Sequence, residues 1–281
     1  MNQQQYQEKT REFAFQDEDF RFLASLANQR TGIVLADHKR DMVYGRLTRR
    51  LRALGLESFS EYCDLLQSDA GADEIGQLVN AITTNLTSFF REKHHFEHLR
   101  AQVINPLLQN VRNKKLRIWS AACSSGMEPY SIAMVLKDTI KDIKTWDARI
   151  LATDIDSNML SVASKGEYSA TEFEHIPDIY RQYVSRGEDS QRIKAADSLK
   201  DIITFRQLNL LETWPMHGKF DAVFCRNVVI YFDKPTKQKL FERIANILAP
   251  NGWLYIGHSE NLHNISDRFE TMGRTVYRKV R

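Results

Sequence analysis

Four segments with the apolar run of a β-strand each stop on polar residues suited to ligand chemistry. Residues 116–121 lead into Ala122-Cys123-Ser124-Ser125-Gly126-Met127-Glu128-Pro129, and residues 149–153 lead into Asp154-Ile155-Asp156. Residues 202–208 are followed by Asn209-Leu210, and residues 220–225 by Arg226-Asn227. Small residues ahead of a helix N-terminus let backbone approach a ligand closely, and an acid closing the second strand stands where a ribose diol needs an acceptor. The first turn has only one glycine, so the GxGxxG fingerprint is absent and an ordinary strand-to-helix turn accounts for it equally well. Asp156 or Ser157 also suits a helix cap, so one of the two acids serves the following helix. Any one of these polar ends could face solvent. Four in succession point to a cleft.

The elements that must carry these ends alternate. Helices expected at 128–137, 157–164 and 236–248 separate the four strands and a fifth at 253–257, which implies a mostly parallel sheet covered on both faces, with its ligand at the C-terminal strand ends. Residues 180–200 break the alternation and predict a small inserted hairpin or β-subdomain. The first 83 residues show helical spacing only. Phe20, Leu23 and Leu26 follow the acidic start Asp17-Glu18-Asp19, and Val43, Leu47, Leu51 and Leu54 form the stripe of a helix over 37–54 that stops at Gly55. Two shorter helices are expected at 60–66 and 73–82. The domains are therefore 1–83, all-helical, and 84–281, α/β.

Composition sets the class. With 42% hydrophobic and 27% charged residues a packed core is expected. No stretch reaches the ~18 uninterrupted apolar residues of a membrane span, and the polar start fits no signal peptide, so a cytoplasmic protein without membrane insertion is expected. Three scattered cysteines (Cys63, Cys123, Cys225) without a CxxC pair argue against disulfides and zinc. Cys225, beside Arg226, reads as a small packing residue. His94 and His98 share a helical face, but no cysteine or carboxylate completes a ligand set with them, so no metal is expected.

A net charge of +3 implies no nucleic-acid partner. The 37–54 helix holds six basic and two acidic residues, and Arg46, Arg49 and Arg52 fall away from its apolar stripe. They are expected to be exposed, either as a merely solvated face or as a face for an acidic partner.

Thr84-Asn85-Leu86-Thr87-Ser88-Phe89-Phe90-Arg91-Glu92, the run Trp119-Ser120-Ala121 through Glu128-Pro129-Tyr130-Ser131, Phe224-Cys225-Arg226-Asn227-Val228, Ile230-Tyr231-Phe232-Asp233 and Gly257-His258-Ser259-Glu260 occur in that order. Together they resemble the CheR-type chemoreceptor glutamate methyltransferases, over residues 17–280. The resemblance implies an N-terminal helical domain joined to a class I, Rossmann-like, S-adenosylmethionine-dependent methyltransferase domain with a small β-subdomain insertion. It implies that Asn85, Thr87 and Arg91 lie against the cofactor, with Glu128 at its methionine amino end, Asp154 on the ribose, and Asn209, Leu210, Arg226 and Asn227 on the adenosyl side. Arg91 and Tyr231 would face the substrate glutamate. Read without the family, Arg91 would be a surface ion pair with Glu92 or Glu97, and Tyr231 a core aromatic.

The resemblance further implies glutamate methyl esters as product, with S-adenosylhomocysteine released, on the helical methylation regions of chemoreceptors. Those glutamate-bearing helices would suit the Arg46, Arg49 and Arg52 face, with the enzyme a monomer. Met127 stands where the family often has a second acid. Ser185-Arg186-Gly187-Glu188-Asp189-Ser190 keeps one glycine of a pair that docks a receptor pentapeptide in some members, so tethering is not expected. A DNA-base methyltransferase would carry a proline-rich aromatic motif after the fourth strand, which Arg226-Asn227-Val228-Val229 lacks. A non-catalytic signalling module that binds S-adenosylmethionine or S-adenosylhomocysteine is the other alternative, and would have no need of Arg91 and Tyr231.

Overall fold

The computed structural model describes residues 11–109, 114–187 and 191–281, which divide into two compact units between Thr84 and Asn85. The first is all-helical: α1 (Asp17–Thr31), α2 (Arg40–Leu54), α3 (Phe59–Gln67) and α4 (Ala72–Ile82). Their termini follow local chemistry. The backbone N–H of Gln16 donates to Asp19 (2.8 Å), and Gly55 ends α2 in the left-handed region (φ 68°) that glycine adopts without strain. Leu23, Val43, Leu47, Leu51, Phe59, Tyr62 and Leu78 are fully buried, each large aliphatic contributing about 1.5–3 kcal/mol of transfer free energy.

The basic face of α2 departs from expectation. Arg46 is half-buried, and its guanidinium donates to the Ile82 (2.5 Å) and Thr83 (2.9 Å) carbonyls and to Thr84 Oγ1 (3.1 Å). It satisfies acceptors at the C-terminal end of α4, where helix carbonyls lack intrahelical donors, and is not an exposed docking residue. Arg52 is exposed and paired with Glu12, and Arg49 is exposed.

The second unit begins with a helical run: α5 (His94–His98), a π-helical turn over Leu99–Ile104 and α6 (Asn105–Leu108). Then come β1 (Lys115–Ser120), α7 (Met127–Thr139), β2 (Asp147–Asp154), α8 (Ser157–Lys165), β3 (Glu167–Ser169), β4 (Val184–Arg186), β5 (Arg192–Ala195) and α9 (Asp197–Lys200). β6 (Ile203–Gln207), β7 (Phe220–Phe224), α10 (Lys234–Ile247), β8 (Leu248–Tyr255), β9 (Phe269–Gly273) and β10 (Val276–Lys279) complete it. The main sheet has the order β6-β2-β1-β7-β8-β10-β9; the first five strands are parallel and the last two antiparallel. The antiparallel pair was not anticipated, because Phe269–Gly273 is exposed beyond its first residue and carries no apolar alternation.

The inserted β-subdomain is larger than expected. It is a three-stranded antiparallel sheet, β3-β5-β4, that starts at Glu167 rather than near residue 180. Strands of three residues are too short to show a period of two. Of the loop expected at 185–190, residues 188–190 lie outside the described residues.

Candidate active site

Parallel strands bring their C-terminal ends to one edge. Ser120 is in register with Ala152 of β2 and Phe224 of β7, and Asp154 with Gln207 of β6. The polar ends following β1, β2, β6 and β7 therefore share that edge, and three of them are tied to one another or to the segment ahead of α5.

After β1 the chain folds back at once, with Cys123 N–H donating to the Thr153 carbonyl (2.9 Å). Gly126 has φ +91°, and a Cβ there would lie 2.7 Å from the Ala163 Cβ, so the one glycine of this turn is required by backbone and packing together. Ser124 N–H (2.7 Å) and Asp156 N–H (2.9 Å) donate to the two oxygens of the buried Asp154. Burial raises the Asp154 pKa, and these amides oppose the rise. Asp156 is the cap: it accepts from Asn158 and Met159 N–H, and from Asn85 Nδ2 (2.7 Å). The Asn85 carbonyl in turn accepts from Ser124 Oγ (3.0 Å), which fixes Asn85 beside Asp154.

A second polar group centres on Arg226. Its Nη1 donates to Glu128 Oε2 (2.9 Å), whose Oε1 accepts from Ser120 Oγ (2.6 Å); all three residues are buried. Nη2 donates to the Arg91 carbonyl and lies 3.6 Å from Glu92 Oε1. Arg226 was expected on the adenosyl side with Asn209 and Leu210. Its head joins Glu128 and the Arg91 carbonyl, acceptors that offset the charge of a buried guanidinium.

Glu92, a candidate ion-pair partner of Arg91 when read without the family, instead accepts from His258 N–H (3.2 Å) and faces His258 Nδ1 (3.1 Å). Burial would raise its pKa, but Arg226 and the His258 hydrogen bonds outweigh burial and hold it below the usual range. Burial, with Arg226 and His94 adding to it, pushes His95 down to about 3, so its imidazole is neutral. Glu92, His94 and His95 each place a ligand atom within 4.8 Å of the others, so a carboxylate does complete a histidine group. The Arg226 guanidinium beside Glu92 opposes a second cation there, and His98, expected to align with His94, contacts the Tyr255 hydroxyl (3.0 Å).

Arg91 sits between two non-glycine residues in the left-handed region, Phe90 (φ 52°) and Glu92 (φ 58°). Each such conformation costs about 1–3 kcal/mol and persists only where its surroundings impose it, and Ser124 and Asn227 at this edge share it. Arg91 Nη1 donates to the Leu86 carbonyl (2.7 Å), and the guanidinium forms no ion pair with Glu92, Glu97 or any other carboxylate among the described residues. Thr87 and Asn227 are half-buried and Leu210 is buried. Asn209 interacts with Glu212 (3.2 Å) and the Leu211 N–H (3.0 Å). Tyr231 closes a 3-10 turn over Val229–Tyr231, half-buried, and its hydroxyl makes no hydrogen bond among the described residues. Burial lifts the Cys123 and Cys225 thiols far above the usual range, so both pack as neutral groups.

Residues 85–278 match the family described as CheR methyltransferase, SAM binding domain, and residues 18–83 match CheR methyltransferase, all-alpha domain. A probable chemotaxis protein methyltransferase of Rhizobium etli is 46% identical over 252 residues, covering 88% of this chain and 94% of that protein. The chemotaxis protein methyltransferase of Escherichia coli is 44% identical over 276 residues, covering 95% and 93%. Chemotaxis protein methyltransferase 2 of Pseudomonas aeruginosa is 43% identical over 270 residues, covering 95% and 94%.

Proposed function

The chain belongs to the CheR methyltransferase family, and on that premise we propose that it esterifies glutamate side chains of chemoreceptors, using S-adenosylmethionine as methyl donor. The broader activity, S-adenosylmethionine-dependent methylation in chemotaxis, comes with the family. The observation that carries the choice of a carboxylate acceptor is Arg91: its backbone lies between two left-handed residues, its carbonyl accepts from Arg226 of the strand-end group, and its guanidinium has no carboxylate partner among the described residues.

The donors and acceptors present fit the cofactor. Glu128 and Asp154 offer carboxylates for an ammonium and a ribose diol, Leu210 offers an apolar wall, and the buried Nε of Arg226 is a donor with no partner among the described residues. Asn85, Thr87, Asn209 and Asn227 complete the candidate binding set. When bound, S-adenosylmethionine supplies a methyl group on a sulfonium, electrophilic enough for direct attack by an oxygen anion.

The chain's own part is positioning. A glutamate with a pKa of about 4.3 is already ionised at pH 7, so no general base is required. Arg91 and the Tyr231 hydroxyl orient the substrate carboxylate, and holding it in line with the methyl group converts an encounter into an intramolecular step. Removing water from the carboxylate adds to its reactivity. In this reading the protein works in the cytoplasm as a monomer, without receptor-tail tethering. Among the described residues no helix is long and apolar enough to cross a membrane. Arg49 and Arg52 remain as the exposed contacts for glutamate-rich receptor helices.

The test is transfer of radiolabelled methyl from S-adenosylmethionine to receptor-containing membranes, with Arg91→Ala alongside and an alkaline wash. Base-labile label on the receptor that is lost in the variant is expected. Base-stable label, or label unchanged by Arg91→Ala, overturns the reading.

A further inference from the structure

Glu260 lies in the Gly257-His258-Ser259-Glu260 run after β8, and the chemistry above gives it no task. It is buried, and its carboxylate accepts four backbone N–H groups. Oε2 takes Gly257 (2.6 Å) and Asn227 (3.0 Å); Oε1 takes Val229 (2.9 Å) and Ile230 (3.3 Å). These donors belong to two loops, one after β8 and one after β7. The β7 loop bears Arg226, Asn227 and Tyr231.

That loop does not hold its shape by itself. Asn227 is in the left-handed region (φ 58°), and the Val229–Tyr231 turn is a single 3-10 turn closed by only two backbone hydrogen bonds, Tyr231 N–H to the Val228 carbonyl (3.3 Å) and Phe232 N–H to the Val229 carbonyl (3.1 Å). Its amides would otherwise be partly buried donors without acceptors, each costing about 1–3 kcal/mol. Gly257 completes the arrangement. A Cβ there would stand 2.2 Å from Asn227 Nδ2, so the two loops pack backbone against side chain with no room for alanine.

We propose that Glu260 is a positioning residue for methyl transfer: its carboxylate fixes Asn227 through one oxygen and the Tyr231 turn through the other. The proposal rests on the assignment of Asn227 to the cofactor and Tyr231 to the substrate. Burial raises the Glu260 pKa and the four amides oppose that rise, which fits an anion held by backbone dipoles. Neutral glutamine has one acceptor oxygen and an NH2 group. In Glu260→Gln one pair of amides must face a donor, either the Gly257 and Asn227 pair or the Val229 and Ile230 pair.

The test uses the full chain, with S-adenosylhomocysteine affinity by calorimetry and kcat at saturating S-adenosylmethionine on receptor membranes. Glu260→Gln is expected to weaken S-adenosylhomocysteine at least tenfold and to lower kcat at least tenfold even at saturation, with Glu260→Asp recovering part of both. Combined with Tyr231→Phe, the kcat losses are expected to be less than multiplicative, because both act through one hydroxyl; a residue that only stabilises the fold would give multiplicative losses. Gly257→Ala is expected to weaken S-adenosylhomocysteine with the smaller effect on kcat. Affinity and kcat within twofold of the parent in Glu260→Gln, or multiplicative losses with Tyr231→Phe, overturn the proposal. Should Glu260→Gln not fold, Glu260→Asp carries the same cycle. If the parent does not methylate receptor, the acceptor assignment fails, while the calorimetric arm still decides whether Glu260 holds Asn227.

Discussion

Each unit holds an arginine–glutamate group with a buried carboxylate, and the two groups are built differently. In the helical unit Arg50 donates to Glu74 through Nε (2.9 Å) and Nη2 (2.6 Å), and the buried Tyr62 hydroxyl donates to the same carboxylate (2.9 Å). Burial, followed by Glu74, drives the Tyr62 pKa far up, so this hydroxyl keeps its proton. The group is closed. In the α/β unit Arg226 meets Glu128 through one nitrogen and reaches Glu92 only at 3.6 Å, and among the described residues neither its Nε nor Glu92 Oε2 has a hydrogen-bond partner. Buried polar groups are normally satisfied, so the first pair is scaffold and the second keeps capacity for a ligand.

Removing Arg226 should produce the largest effect. Arg226→Ala strands Glu128 and Glu92 without their cation, and breaking a buried pair from one side costs about 3–5 kcal/mol. Loss of S-adenosylhomocysteine binding by at least a hundredfold is expected in calorimetry, with a lower urea midpoint for the α/β unit. Binding within threefold of the parent would place Arg226 among scaffold residues and erase the contrast.

Glu74→Ala is the matching cut in the closed pair. It leaves the Tyr62 hydroxyl and Arg50 without an acceptor, so a loss of about 1–3 kcal/mol is expected in urea unfolding of the helical unit. S-adenosylhomocysteine affinity should stay within twofold. A tenfold change would show that the helical pair is not merely scaffold.

The contrast also marks what could be read in the sequence. Helices with strong apolar stripes and glycine stops, such as Arg40–Leu54 before Gly55, were legible because period and cap agree. So were the inner parallel strands and their polar ends, since Phe220–Phe224 and the last residues of Lys115–Ser120 and Asp147–Asp154 are mostly apolar and buried. Asp154 and Asn209 could be flagged from position alone. Arg226 could be flagged from position too, but nothing in the residues around it says that its head turns towards Glu128, 98 positions away, and the roles of Glu128 and Arg91 needed the family motif. Glu92 and Glu260 were quoted within motifs yet given no task. Their partners are backbone amides, a histidine and, for Glu92, the distant Arg226, all set by loop geometry, which has no sequence period. Arg46 was misjudged for a related reason: a helical wheel shows that a side chain leaves the stripe, not that it folds back onto the end of another helix.

Two carboxylates at the site should respond to acid in opposite senses. Glu92 has a folded-state pKa below its ordinary 4.5, so the stability it contributes is present above that value and is lost as pH falls through the folded pKa. Asp154 has a raised pKa, so the folded form takes up its proton first, and protonation removes an acceptor that the ribose diol would use. S-adenosylhomocysteine affinity is therefore expected to decline on acidification before an ordinary aspartate with pKa 3.8 would titrate, and before stability falls. Calorimetry and circular dichroism over one pH series check the order. Glu92→Gln should flatten the stability limb and leave the onset of the affinity limb in place. Affinity and stability falling together would show that binding is lost only by unfolding.

The smallest effect is expected on the outer face of α2. Reversing Arg46 along with Arg49 and Arg52 would be uninformative, since Arg46 holds the end of α4 and its loss would damage the helical unit whatever the partner. Arg49→Glu with Arg52→Glu avoids that damage, as both side chains are exposed and Arg52 gives up only a surface pair with Glu12. Surface charges act over about 10 Å at 0.1 M salt and further at lower ionic strength, and they change association rates more than affinity once contact is made. A severalfold drop in receptor methylation at low salt is expected, shrinking towards the parent rate as salt rises, with S-adenosylhomocysteine affinity unchanged at every salt concentration. Equal rates at low salt would remove α2 from the receptor interface and leave Arg91 and Tyr231 as the only substrate contacts proposed. A salt-independent loss would instead mean that the pair with Glu12 stabilises the helical unit, which the urea midpoint of the same variant would report.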